Sequence, residues 1–339
     1  MRATSFLGYS AVLCLTASAG AADWQAIPLD QITKDKPGYG GLSGVLVDHA
    51  PGDLYACVSD LGLFHSPLGR GLQTTPQQTW ERMEHVPPKG RTEQAGCLQL
   101  DPTGKSRRMV LARVYGGPIA VGAADGGDWK TLDNKSSHID WCAVDWADPD
   151  YPFILALKHE SGGTLIASAD GGKTFDEIGK GYGPGWVFDK TTAVVAEAKT
   201  KDRTKPGLVR TTDGGKTFRP CGDYAATALP KWRDGALYWL TSAGLIRTTD
   251  AGKTWEKVGD VKDGRYGPIF GKDVKQMFVL TGVGVVESTD GGATWSKPVA
   301  PPKGVEVTQL TWLDYDPAND VLYIMKMGSD LYRMERGKK

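Results

Sequence analysis

The sequence predicts an all-β fold, a seven-bladed β-propeller of four-stranded blades whose ring is closed by the N-terminal strand. Three observations carry this. A short turn motif recurs at near-constant spacing, an apolar strand pair precedes each copy, and the last unit lacks a strand that the chain's start can supply.

The motif is seen in SADGGKTF (Ser168 to Phe175), TTDGGKTF (Thr211 to Phe218), TTDAGKTW (Thr248 to Trp255) and STDGGATW (Ser288 to Trp295). Its Gly-Lys-Thr suggests a phosphate-binding loop, which needs Gly-x-x-x-x-Gly-Lys-[Ser/Thr]. The first glycine is replaced by Ala167, Arg210 and Arg247, so the repeat is read as structural. Asp170, Asp213, Asp250 and Asp290 are 43, 37 and 40 residues apart, the period of a four-stranded blade. Degraded copies end at Trp129 and Trp80. In each box the aspartate is expected to accept hydrogen bonds from the amides ahead of it, with glycine supplying positive φ. The Trp or Phe packs between sheets, and the Lys-Thr is read as solvent-facing. One carboxylate per box is too few for calcium, which takes six to eight oxygens.

Before each box a glycine turn leads into a period-2 strand, as in Gly-Leu-Ile-Arg-Thr (Gly244 to Thr248) and Gly-Leu-Phe-His-Ser (Gly62 to Ser66). Another apolar strand precedes that one, giving seven units. The seventh stops soon after Met334 without a box. Asp23-Trp-Gln-Ala-Ile-Pro-Leu resembles the strand after a box and is expected to complete the last blade, covering its open edge.

Residues 1–22 read as a signal peptide: Arg2, an apolar run from Phe6 to Leu15, then small residues. The expected organisation is therefore this leader and a single propeller over 23–339, in a secreted or periplasmic protein. Forty basic and forty acidic residues imply neither nucleic acid nor an anionic membrane as partner, and no later segment is long and apolar enough to span a bilayer. Cys57, Cys97, Cys142 and Cys221 fit disulfides or buried thiols equally well, and their spacing matches no zinc pattern. No metal or cofactor is expected.

The boxes resemble the Asp-box, or bacterial neuraminidase repeat, of sialidase-like propellers, and the seven units cover nearly all of the chain after the leader. Similar repeats occur in sialidases, xyloglucan hydrolases, sortilin ectodomains and photosystem assembly factors, so the resemblance implies fold more firmly than activity. The Arg-Ile-Pro motif of sialidases does not occur here, which disfavours an exo-sialidase.

The phase of the repeat sends the loops entering each innermost strand, and those joining the second and third strands, to one face. That face gathers the candidate site. His138, His159, Tyr115 and Tyr182 are the candidate catalytic groups, since imidazole and phenol can both give and take protons. Arg91, Arg265, Tyr266, Tyr39, Tyr224 and Glu160 are the candidate substrate-binding groups, with aromatic faces for sugar rings and guanidinium forks for carboxylates. His138 and Asp140 are a possible pair. These features point to a carbohydrate-active protein, glycoside hydrolase or polysaccharide lyase, acting on an acidic or plant- or algal-type polysaccharide. The alternative is a non-catalytic propeller that binds a glycan or a protein partner.

Overall fold

A computed structural model describes residues 24–67, 79–87, 89–92, 97–201 and 203–336. The proposed leader and most of the stretch before Trp80 lie outside the described residues. Seven antiparallel sheets succeed one another along the chain. Blade 1 runs from Leu42–Asp48 to Glu81–Arg82, blade 2 from Leu98–Leu100 to Lys130–Thr131, and blade 3 from Ile139–Val144 to Asp176–Gly179. Blade 4 spans Tyr182–Val187 to Arg219–Gly222 and blade 5 Lys231–Arg233 to Glu256–Gly259. Blade 6 has three strands, Gly264–Phe270 to Gly284–Ser288, with its fourth reduced to a bridge between Val285 and Val299. A four-residue helix, Asp30–Thr33, links the first strand to blade 1.

Blade 7 is built from both ends of the chain. Its first three strands are Leu310–Asp316, Val321–Lys326 and Asp330–Glu335, and its fourth is Gln25–Ile27. Gln25 pairs with Arg333, Ala26 with Tyr332 and Ile27 with Leu331. Ile27 and Leu29 are buried, and the Trp24 indole donates to the Ala300 carbonyl at 2.8 Å. The N-terminal strand thus closes the ring and reaches across to blade 6.

The box turns show why their residues recur. In the box of blade 3, Thr174 donates from its amide to Asp170 Oδ1 (3.0 Å) and from its hydroxyl to Asp170 Oδ2 (2.7 Å). Ser168 donates to Asp170 Oδ1 (2.8 Å), and its oxygen accepts from the Gly172 amide (2.8 Å). Asp213, Asp250 and Asp290 repeat this pattern with their own Ser or Thr neighbours. The threonine read from sequence as solvent-facing is therefore a structural member of the turn, and in the box of blade 5 the Lys253 amide also donates to Asp250 Oδ1 (3.0 Å). Thr174, Thr217 and Thr294 hydroxyls, followed by their amides, hold Asp170, Asp213 and Asp290 down to about 2. At Asp250 desolvation opposes the shift, and the Thr254 amide and hydroxyl outweigh it, again to about 2.

The boxes also join neighbouring blades. The Arg210 side chain donates to Ala251 O in the next blade's box (2.7 Å), and Asp133 N donates to Gly172 O (2.9 Å). Cys57, Cys142 and Cys221 are thiols, each raised by burial, so no disulfide forms within the set of four. Cys97 donates to Asp140 O at 3.1 Å. No helix among the described residues is long and apolar enough to cross a membrane.

Two expectations follow. Deleting residues 24–29 removes two buried apolar side chains, each contributing roughly 1.5–3 kcal/mol, and bares the edge Leu331–Arg333. The deleted protein is expected to melt lower and self-associate in sedimentation velocity; an unchanged, monomeric protein would refute the closure. The box carboxyls titrate near 2 when folded against about 3.9 when unfolded. Their contribution is complete above about pH 4 and fades as pH falls through 2. The difference in melting temperature between the wild type and Asp250→Ala is expected to shrink over that window.

Candidate functional site

The site grows from a two-residue ribbon outside the blades. Gly90–Arg91 pairs with Tyr115–Gly116, placing Arg91 directly across from Tyr115. Only glycine fits at 116, where φ is +118° and a Cβ would sit 2.5 Å from the Gly90 Cα. Buried Arg113 holds the ribbon from below, donating to the Pro87 and Pro118 carbonyls at 2.9 and 2.7 Å.

The Arg91 guanidinium lies between two rings, 4.4 Å from the centroid of Tyr39 and 4.6 Å from that of Tyr115. Gly40, at φ +97°, brings the Tyr39 loop in close, since a Cβ there would stand 3.1 Å from Arg91 Cδ. Asp60 ties the two loops together by accepting from the Gly90 amide at 2.9 Å. Arg91 is only 7% exposed. The sequence placed it in an exposed loop as a carboxylate clamp; the structure makes it the buried layer between two tyrosines. Tyr39, by contrast, is 85% exposed.

Tyr115 leads into a relay. Its hydroxyl lies 3.1 Å from His159 Nε2, and His159 Nδ1 lies 2.6 Å from Asp140 Oδ1. The carboxylate can only accept, so Nδ1 carries a proton, and neutral His159 then accepts the Tyr115 hydroxyl proton at Nε2. Glu160 Oε1 is 3.5 Å from the same Nε2 and its side chain is largely exposed. His138 packs edge-on to Tyr115, ring centroids 5.9 Å apart, and its carbonyl accepts from the His159 amide at 2.7 Å. The pairing of His138 with Asp140 suggested by sequence is not formed: Asp140 is taken by His159.

A β-bulge explains that choice. In blade 3 the register runs Ile139 to Lys158 and then Trp141 to Leu157, leaving Asp140 as the extra residue. A bulge re-aims a side chain out of the alternating pattern. Similar shifts occur at the start of the innermost strands of blades 4, 6 and 7. The bulged residues Asp140, Pro184, Arg265 and Thr311 all line one cavity of about 540 Å³ at the channel mouth. His138 (φ 56°) and Glu160 (φ 49°) are also in the left-handed region, which costs a non-glycine residue on the order of 1–3 kcal/mol and concentrates at functional sites.

The remaining candidates fall elsewhere. Arg265 borders the mouth cavity, with Asp263 at 3.6 Å. Tyr266 sits deeper in the channel, where burial raises it well above its ordinary value. The Tyr182 ring packs on Phe218 at 5.5 Å and joins the core of blades 3 and 4. Tyr224 is partly buried in the same core as Trp255. Both tyrosines fill space between sheets, and neither joins the relay. Reading the sequence alone missed Asp140 as the histidine's partner and Arg113 as the support. The bulge that selects Asp140 leaves no trace in residue type.

The BNR/Asp-box repeat family matches residues 286–297. No curated protein matches the chain in sequence. Among solved structures it is similar to YCF48 from Cyanidioschyzon merolae, at 11% identity and TM-score 0.52, covering 93% of this chain and 99% of that one. It is also similar to the extracellular domain of a putative hybrid two-component system from B. thetaiotaomicron, at 9% identity and TM-score 0.55. That match covers 94% of this chain and 40% of the other. These likenesses establish the fold.

Arg91→Ala is expected to destabilise by about 2 kcal/mol in chemical denaturation, because a desolvated cation–π layer is removed. Arg265→Ala, at an exposed strand bulge, should stay within about 0.5 kcal/mol. Equal effects would show that Arg91 is a surface group after all.

Proposed function

We propose that this Asp-box β-propeller is an exported protein that acts on an acidic polysaccharide, using Asp140, His159 and Tyr115 for proton transfer. The observation that carries the reading is the relay from Asp140 Oδ1 through His159 to the Tyr115 hydroxyl. It ends on a half-exposed phenol beside the open ring of Tyr39. Sugar rings would stack on Tyr39, and Arg265 across the mouth would meet a uronate carboxylate.

Elimination fits these groups better than hydrolysis. A hydrolase generally sets two carboxyl groups on either side of the glycosidic bond, whereas Asp140 is committed to His159. In an elimination the Tyr115 oxygen takes the proton from the carbon next to the uronate carboxylate, as its own proton passes to His159 Nε2. The electron pair released forms the new carbon–carbon double bond and expels the glycosidic oxygen. The imidazolium, held by Asp140, returns its proton through Tyr115 to that leaving oxygen. Atoms and charge balance without metal or co-reactant.

A second reading, binding without turnover, is favoured by one feature: Tyr115 and His159 sit on the rim rather than inside the mouth cavity. Incubation with a panel of uronate-containing polysaccharides separates the two. Lyase action gives an ultraviolet-absorbing double bond. Tyr115→Phe and His159→Ala should each lower turnover by about 10²- to 10⁴-fold with binding retained. Binding that survives in the absence of any product would support the second reading. New reducing ends without the double bond would refute elimination.

A further inference from the structure

The central channel narrows at a waist of Trp141, Leu229, Lys231 and Tyr266, which border both the mouth cavity and a second cavity on the far side. This lower cavity has a volume of about 310 Å³, within the range of small-molecule sites. Six aromatic residues contribute to its wall. Trp186 and Trp232 stack at 5.9 Å with planes 3° apart, and Trp312 and Phe270 contribute beside them.

Charged groups around the cavity are already occupied, with one exception. Asp48 pairs with Arg107 at 2.7 Å. Asp314 accepts from the Val47 and Tyr315 amides at 2.8 and 2.9 Å, with His49 at 3.4 Å. Asp101 accepts from Thr103 and Ser106, both at 2.6 Å, and Arg233 donates to the Lys272 carbonyl at 3.3 Å. Lys231 has no carboxylate within 4.0 Å among the described residues, and its ammonium lies over the Tyr266 ring, 5.2 Å from the centroid. Lys231 is partly buried and borders both cavities of the channel. Desolvating a cation that has no ion-pair partner in contact is costly, and burial pulls the lysine down against the more distant charge of Asp314.

We propose that the lower cavity is a binding site for a small carboxylate monoanion with a flat apolar body, its carboxylate pairing with Lys231 and its ring lying among the tryptophans. The anion supplies the counter-charge the protein withholds, and the apolar body matches a wall with few unoccupied polar groups. A dianion such as phosphate is disfavoured, because Asp48, Asp101 and Asp314 border the same space. The site is independent of the polysaccharide reading, being separated from the relay by the waist.

Isothermal titration with 2-naphthoate and its neutral isostere 2-naphthamide tests this on the whole protein. Naphthoate is expected to bind the wild type more tightly than naphthamide. Lys231→Met should weaken naphthoate by about 10- to 100-fold, the usual loss of a hydrogen bond to a charged group, while leaving naphthamide unchanged. Because the substitution removes a partly buried charge with no ion-pair partner, the variant should fold at least as stably, which its melting temperature checks. Naphthoate binding that survives in Lys231→Met, or is absent in the wild type, overturns the proposal. So does binding lost in Arg265→Gln, which would place the anion at the other mouth.

Discussion

A ring of sheets holds only if its last blade is tied to its first, and this chain meets that constraint by pairing residue 25 with residue 333. A bared ladder of amides and carbonyls at Leu331–Arg333 would be open to pairing with other chains, and the closing strand covers it. It also fixes the phase of everything else. Once Gln25–Ile27 is the outermost strand of blade 7, every innermost strand must start on the same face. The Tyr39, Arg91, Tyr115, His138 and His159 loops are then neighbours although up to 120 residues separate them.

The two ends of each blade solve different problems. At the box end, a serine or threonine hydroxyl, an aspartate and a second threonine satisfy one another's hydrogen-bonding groups locally. The turn satisfies its own side-chain polar groups, so it can repeat from blade to blade, and its backbone carbonyls are left to bond the neighbouring blade. At the entry end, bulges interrupt the ladder, and side chains such as Asp140 and Arg265 leave the alternating pattern to meet at the mouth. Regularity at one end is what allows irregularity at the other.

This division decides what the sequence discloses. The boxes are written in residue type at a fixed period, so blade number and closure are legible in the sequence. Contacts at the mouth depend on register shifts of one residue, which have no residue signature. Hence Tyr115 and His159 could be assigned to one face, yet the Asp140 partner could not be chosen over His138. The same limit applies to tyrosines: glycine-flanked Tyr182 and Tyr224 read like Tyr39, and only packing shows that the first two fill core while the third stands in solvent. Arg91 was placed correctly along the chain and wrongly in depth, because burial of a cation between two rings requires both loops to arrive at once.

Polar satisfaction carries the argument one step further. Interiors leave few buried polar groups unpaired, and each exception calls for a reason. Here Thr311 Oγ1 and Trp141 Nε1 are buried without a hydrogen-bond partner, as are the indoles of the box residues Trp255 and Trp295; Thr311 and Trp141 line the channel. Lys231 adds a cation without a counter-charge at the same waist. Two of these groups, together with Lys231, therefore lie along the axis of the ring, where the channel rather than a neighbouring sheet borders them. Apolar side chains at these positions would lower the cost of folding. Polar ones at the narrowest point of an open channel leave their hydrogen-bonding capacity for a molecule that enters from outside.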